Sequence, residues 1–200
     1  SRAGGARMFI DPKKPVIGLL SELPLTAEFN PMARQASQPW VIAEQMRQLF
    51  EVRTLAPDLE EIADDIKLLM VVHPKNLSDA TLYAIDQFVL RGGRALLFVD
   101  PFAEVDQGDP ADPSGGRRSS NLNRLTGAWG IHTDEAHVVA DDRYAMTVGL
   151  GADSRPVRHL GVLGIEPAGM SHEDIITGSL NLMTFAFPGY ITRDQDAPAT

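Results

Sequence analysis

The sequence predicts an α/β fold, a mostly parallel sheet with helices on both faces. Three observations predict it. Short apolar runs rich in branched residues alternate with helical stretches. One run, 67–74, is apolar on consecutive positions from Leu68 to Val72, as strands buried on both faces are. The intervening segments are long enough to carry the chain back for parallel pairing.

The elements follow in order. Val16, Ile17, Leu19 and Leu20, within 14–20 and bounded by prolines, read as a first buried strand, followed by an irregular loop over 21–38. A helix begins near Ser37, with Ser37 as cap and Pro39 in the first turn, where its missing N–H costs nothing. Trp40, Ala43, Met46, Leu49 and Phe50 recur along it at helical spacing. A second strand occupies 51–55, and the acidic stretch 58–65 leads into the third strand at 67–74. Ser78 and Asp79 open a second helix with an apolar stripe of Leu82, Ile85, Phe88 and Val89, and Gly92-Gly93 closes it. The fourth strand is 94–100.

Beyond Pro101 the character changes. Residues 104–120 are rich in Asp, Pro, Gly and Ser and read as a mobile surface loop ending in Arg117-Arg118. A short helix is expected over 121–129 and a strand over 137–140. Farther on, Ile176, Leu180, Met183 and Phe187 suit a helical stripe, while 182–187 suits a strand equally well. The expected organisation is a junction at 1–13, a single α/β domain at 14–191, and a polar tail at 192–200 leading to a further part of a longer protein.

Composition excludes several classes. Acidic residues outnumber basic ones 27 to 18, a net charge of −9 that repels a nucleic-acid backbone. There is no cysteine, which removes thiol nucleophiles, Cys-ligated metals and disulfides. No apolar run approaches the roughly 18 residues of a spanning helix. Neither G-x-G-x-x-G after the first strand nor a P-loop is present, so no nucleotide cofactor is expected. The nucleophile elbow G-x-S-x-G is missing, Gly178-Ser179-Leu180 lacking the closing glycine. His172-Glu173-Asp174 begins like a zinc motif, but position 176 is Ile, so His172, like His132 and His137, reads as a loop histidine.

Open parallel sheets bind ligands at the carboxyl ends of their strands. Those ends place Ser21, Glu22, His73 and Asp100 as the candidate site. Such a cluster suits hydrogen bonding to a sugar or peptide, or holding a cation by oxygen and imidazole. The same residues would also serve as strand-end caps before proline turns. Trp40, Trp129 and Tyr83 are candidates for stacking on a ring, although Trp40 and Tyr83 lie in helices where packing is the expected use.

Residues 38–50 around Pro39-Trp40, 68–78 through His73-Pro74, and 82–94 with its Asp86 to Gly93 block resemble a known family. So do Phe98-Val99-Asp100-Pro101, Trp129-Gly130-Ile131 and the stretch from Ala186 to Gly189. The family is the auxiliary domain of uncharacterised ABC-type transport systems, which includes a gliding-motility-associated auxiliary protein. The resemblance implies a flavodoxin-like or glutamine-amidotransferase-like three-layer sandwich. It implies a non-catalytic module on the periplasmic side, anchored by transmembrane helices outside this sequence, beside permease and ATPase subunits. Sugar binding has been proposed for related domains, and the family supplies no catalytic residues to carry over. Two other readings stay open: a hydrolase, carbohydrate-active or metal-assisted, using Ser21, Glu22, His73 and Asp100, and a pure assembly scaffold.

Overall fold

The computed structural model describes residues 13–26, 29–30, 35–36, 38–108, 116–149 and 155–195. The chain runs β1 (Val16–Ser21), β2 (Phe29–Asn30), β3 (Gln35–Ala36), α1 (Val41–Leu49), β4 (Glu51–Thr54), β5 (Ile66–Val72), α2 (Asp79–Leu90) and β6 (Arg94–Phe98). It continues with α3 (Asn123–Thr126), β7 (Ile131–Thr133), β8 (Ala145–Val148), β9 (Val157–Ile165), β10 (Met183–Ala186) and β11 (Ile191–Arg193). Four strands form a parallel sheet in the order β4-β1-β5-β6. The chain leaves β1 toward β4 and then returns across it to β5, so connections diverge between β1 and β5. That divergence opens a crevice beyond the strand ends.

Side-chain alternation explains why both faces are covered. In β1, Val16 and Leu20 join one apolar cluster, while Ile17 and Leu19 join the other. In β5, Leu69 and Val71 face the cluster containing Leu82, Ile85 and Phe88 of α2 and Leu125 of α3. Met70 faces the opposite cluster, against which Met46 of α1 and Phe50 pack. The expected helices on both sheet faces are therefore present.

Helix α2 starts and stops where the sequence indicates. The Ser78 hydroxyl accepts the Thr81 N–H at 3.1 Å. At the other end Gly92 adopts φ 91, its N–H bonding the Val89 carbonyl, and the Gly93 N–H bonds Phe88 at 2.8 Å. This paired bonding is a Schellman cap. A Cβ on Gly93 would sit 2.5 Å from both the Phe88 ring and the Phe88 carbonyl oxygen. Gly93→Ala is accordingly expected to lower unfolding free energy by about 1–3 kcal/mol, read as a shifted urea midpoint.

Helix α1 differs from its expectation. It begins at Val41 with Trp40 as the extended cap residue, whose carbonyl accepts the Ala43 and Glu44 N–H groups. Pro39 therefore precedes the helix instead of occupying its first turn, and Ser37 lies outside the described residues.

The mostly parallel expectation holds only for the four-stranded sheet, since the short β2 and β3 already pair antiparallel before β6. The rest of the described chain is antiparallel, with β9 pairing β10 and β8, and β7 pairing β11. Residues 137–140 are not a strand: Val139 makes a single backbone bond, to the Pro188 carbonyl, and β7 at Ile131–Thr133 takes the pairing instead. The helix expected over 121–129 is present as α3 followed by a tight turn at Gly127–Trp129. Over 182–187 the strand alternative is the observed one, and Ile176 is 74% exposed.

The surface-loop expectation for 104–120 also needs correction at its ends. Ser119 and Ser120 are buried, because Ser120 is hydrogen-bonded to Asp100, and Asp106 is drawn in by an ion pair with Lys75. Residues 109–115 lie outside the described set. No helix among the described residues is long and apolar enough to cross a membrane.

Candidate functional site

His73 follows β5 immediately and is 2% exposed. Its backbone N–H bonds the Phe98 carbonyl at 2.9 Å, which ties the ends of β5 and β6 together. The residue adopts φ 50, a left-handed conformation uncommon for residues other than glycine, though histidine takes it more readily than most. Such backbone is retained where the surroundings impose it, often at functional positions.

The ring is held at one edge only. Nε2 lies 2.9 Å from Asp106 Oδ2. A carboxylate accepts and does not donate, so Nε2 carries the proton of that bond. Nδ1 is buried with no hydrogen-bond partner among the described residues. Lys75 also pairs with Asp106, and the Gly108 N–H donates to Asp106 Oδ1 at 2.9 Å. Burial pushes the Asp106 carboxyl up, but Lys75, His73 and the Gly108 amide together outweigh it and hold the group at about 2.

Asp100 stands just beyond β6. Its Oδ1 accepts the Phe102 N–H at 2.8 Å, and its backbone N–H and carbonyl are both bonded to Ser120. Burial raises the Asp100 carboxyl above its ordinary value, against the opposing Phe102 amide and the nearby His73. Its Oδ2 has no bonded partner among the described residues.

His73 and Asp100 line one cavity of about 310 Å³ at the strand ends. The sheet supplies its floor through Val72, Phe98 and Val99, and the antiparallel half supplies walls through Asp134, Phe185 and Tyr190. The Tyr190 hydroxyl donates to Asp134 at 2.9 Å. Asp134 is held at about 2, first by the Ala136 amide and then by His137 and Tyr190. A mainly apolar chamber with a few convergent polar groups is the usual makeup of a small-molecule site.

The four residues singled out from the sequence have different fates. His73 and Asp100 share the cavity. Glu22 is exposed and, with His73, Lys75 and Asp106, lines a second pocket of about 370 Å³. Ser21 lines neither, because its hydroxyl donates to the Leu23 carbonyl and accepts the Leu23 N–H in a local turn.

Sequence reasoning misses Asp106, Ser120, Asp134 and Tyr190. Asp106-Gln107-Gly108 has Asx-turn chemistry that marks a fixed carboxylate, yet nothing in the sequence says it lands on His73. Trp129 packs against the α2 cluster and donates its indole N–H to Asp86 at 2.9 Å. Tyr83 is 65% exposed, so the packing expected of it is not made; it lies off the Leu82–Ile85 stripe. Trp40 is also partly exposed. Among the described residues no three His, Asp or Glu side chains are grouped to hold a metal ion.

A parallel sheet whose diverging strand ends floor such a chamber defines an α/β domain of the pocket-bearing kind. The chain belongs to the family described as ABC-type uncharacterized transport system, whose model matches residues 14–200. It is thereby an auxiliary component of an ABC-type transport system. No curated protein and no solved structure gives a significant match.

Proposed function

We propose that the chain is a non-catalytic, extracytoplasmic ligand-binding domain of a membrane-anchored transport component, with its site in the cavity shared by His73 and Asp100. In this reading the domain works beside permease and ATPase subunits and presents a captured small molecule, a sugar or a peptide end, to them. The sheet order β4-β1-β5-β6 supports a flavodoxin-like layering for the parallel half. Family membership supports the transport role.

One observation carries the binding role: His73 keeps a buried Nδ1 without a partner in a residue that lines a cavity. A buried unpaired polar atom costs about 1–3 kcal/mol, and a ligand that supplies the missing bond recovers it. Against nucleophilic hydrolysis stands the state of Ser120, the serine that lines the cavity. Ser120 Oγ is engaged with the Asp100 backbone on both its donor and acceptor sides and makes no bond to His73.

A thermal-shift screen with sugars, oligosaccharides and short peptides tests this. A ligand at a hundred times its Kd stabilises the native state by about 2.7 kcal/mol, a readily measured rise in Tm. The rise is expected to vanish in His73→Ala. A rise that persists in that variant would place the site elsewhere, and no rise with any compound would leave recognition of partner subunits as the better reading. A reporter active only outside the cytoplasm, fused to the full-length protein, checks the compartment.

A further inference from the structure

The cavity's polar wall is one-sided in both charge and hydrogen-bonding sense. Three carboxylates line it, those of Asp100, Asp134 and Glu135, and no lysine or arginine does among the described residues. Two of the three are already occupied. Asp134 accepts from the Ala136 and His137 amides at one oxygen and from Tyr190 and the His137 ring at the other. Glu135 accepts from Asn123 at 3.1 Å and faces Arg117, itself an exposed residue, at 3.4 Å.

Among the described residues Asp100 Oδ2 and the buried His73 Nδ1 have no bonded partner. In a neutral ring whose Nε2–H donates to Asp106, Nδ1 keeps its lone pair, so it and Asp100 Oδ2 are both acceptors. A hydroxyl both donates and accepts, whereas a protonated amine only donates. Phe98 and Phe185, partly exposed, also line the chamber and offer aromatic surface, which favours cations over neutral groups. The chain's net charge of −9 adds a long-range field of the same sign.

We infer that the cavity selects small organic molecules carrying a protonated amine, which Asp100 pairs with inside an aromatic-walled chamber. The inference rests on the cavity being a ligand site and names the class it takes. The elevated carboxyl of Asp100 agrees with it, since an arriving ammonium supplies the counter-charge that burial withholds.

Calorimetric titration of the chain with two matched pairs provides the test: glucosamine against glucose, and cadaverine against pentanediol. Each amine is expected to bind at least about tenfold tighter than its neutral partner, to lose about tenfold in Asp100→Asn, and to weaken as salt is added. Asparagine keeps an acceptor for the Phe102 amide, and an unchanged circular dichroism spectrum checks the variant's fold. Salt dependence of the unaltered chain gives an independent measure should the variant not fold. Equal binding of neutral and charged partners, amine affinity indifferent to Asp100→Asn or to salt, or no binding by either amine would overturn the inference. Neutral ligands bound in a His73-dependent way would overturn the amine class alone and leave the cavity as a binding site. Failure of every compound in the wider screen would remove both.

Discussion

Replacing Leu69 with alanine is expected to lower the unfolding free energy by about 2–5 kcal/mol. Leu69 is fully buried on β5, which lies between β1 and β6 in the sheet. Its side chain belongs to the cluster that joins α2 and α3 to that sheet, so truncation leaves a void bounded by three elements. Little can move to fill it, because the partners are held by strand pairing on two sides. The measurement is a urea melt, in which the midpoint falls and the slope stays the same. Tyr83→Ala on exposed α2 surface serves as the contrast and is expected to change stability by no more than about 0.5 kcal/mol. A Tyr83 loss as large as that of Leu69 would mean that the exposed face of α2 is packed in solution.

How much of this could be read from the sequence depends on the distance over which each feature is determined. The β1, β5 and β6 strands and the α2 helix are local matters: apolar runs, a Ser78 cap and a two-glycine stop. Each is present within a residue or two of where the pattern puts it. The start of α1 is less sharply marked, since Pro39 suits either the first turn or the residue before it. The C-terminal half resisted because its strands are short and pair across long separations, Ile131–Thr133 with Ile191–Arg193 for example. Val138 and Val139 have strand propensity, but among the described residues a single backbone bond, from Val139 to the Pro188 carbonyl, reaches them.

The site shows the same division. His73 and Asp100 were legible because they end strands of a parallel sheet, and the sheet alone brings them side by side. Ser21 ends a strand equally well, yet a turn two residues long captures its hydroxyl. Asp106 reaches His73 across 33 residues, from a stretch whose composition reads as surface. Contacts of that kind depend on the folded chain, and no spacing rule announces them.

Asp106→Asn is expected to cost about 1–3 kcal/mol at neutral pH and to flatten the acid limb of the stability curve. The folded carboxyl sits at about 2 against an ordinary 3.8, a depression that burial opposes and that Lys75, His73 and the Gly108 amide produce. A depressed acid stabilises the native state at pH values above its unfolded value and loses that contribution as pH falls toward its folded one. The relevant window thus runs from about pH 5 down to about pH 2, and the pH-dependent share is about 1–2 kcal/mol after allowance for solvent nearby. Asp134 is also held at about 2 and titrates in the same window, so the quantity to follow is the difference between the two proteins, from which Asp134 cancels. That difference should shrink steadily on acidification; a constant gap would show that Asp106 acts through packing and not through charge. The same substitution bears on function. Ionised Asp106 requires a donor at Nε2, which in a neutral ring leaves Nδ1 as the acceptor, whereas an asparagine amide pairs with either tautomer. Ligand affinity should therefore drop severalfold in Asp106→Asn even where the protein stays folded, which separates the positioning of the His73 ring from the stability of the loop that holds it.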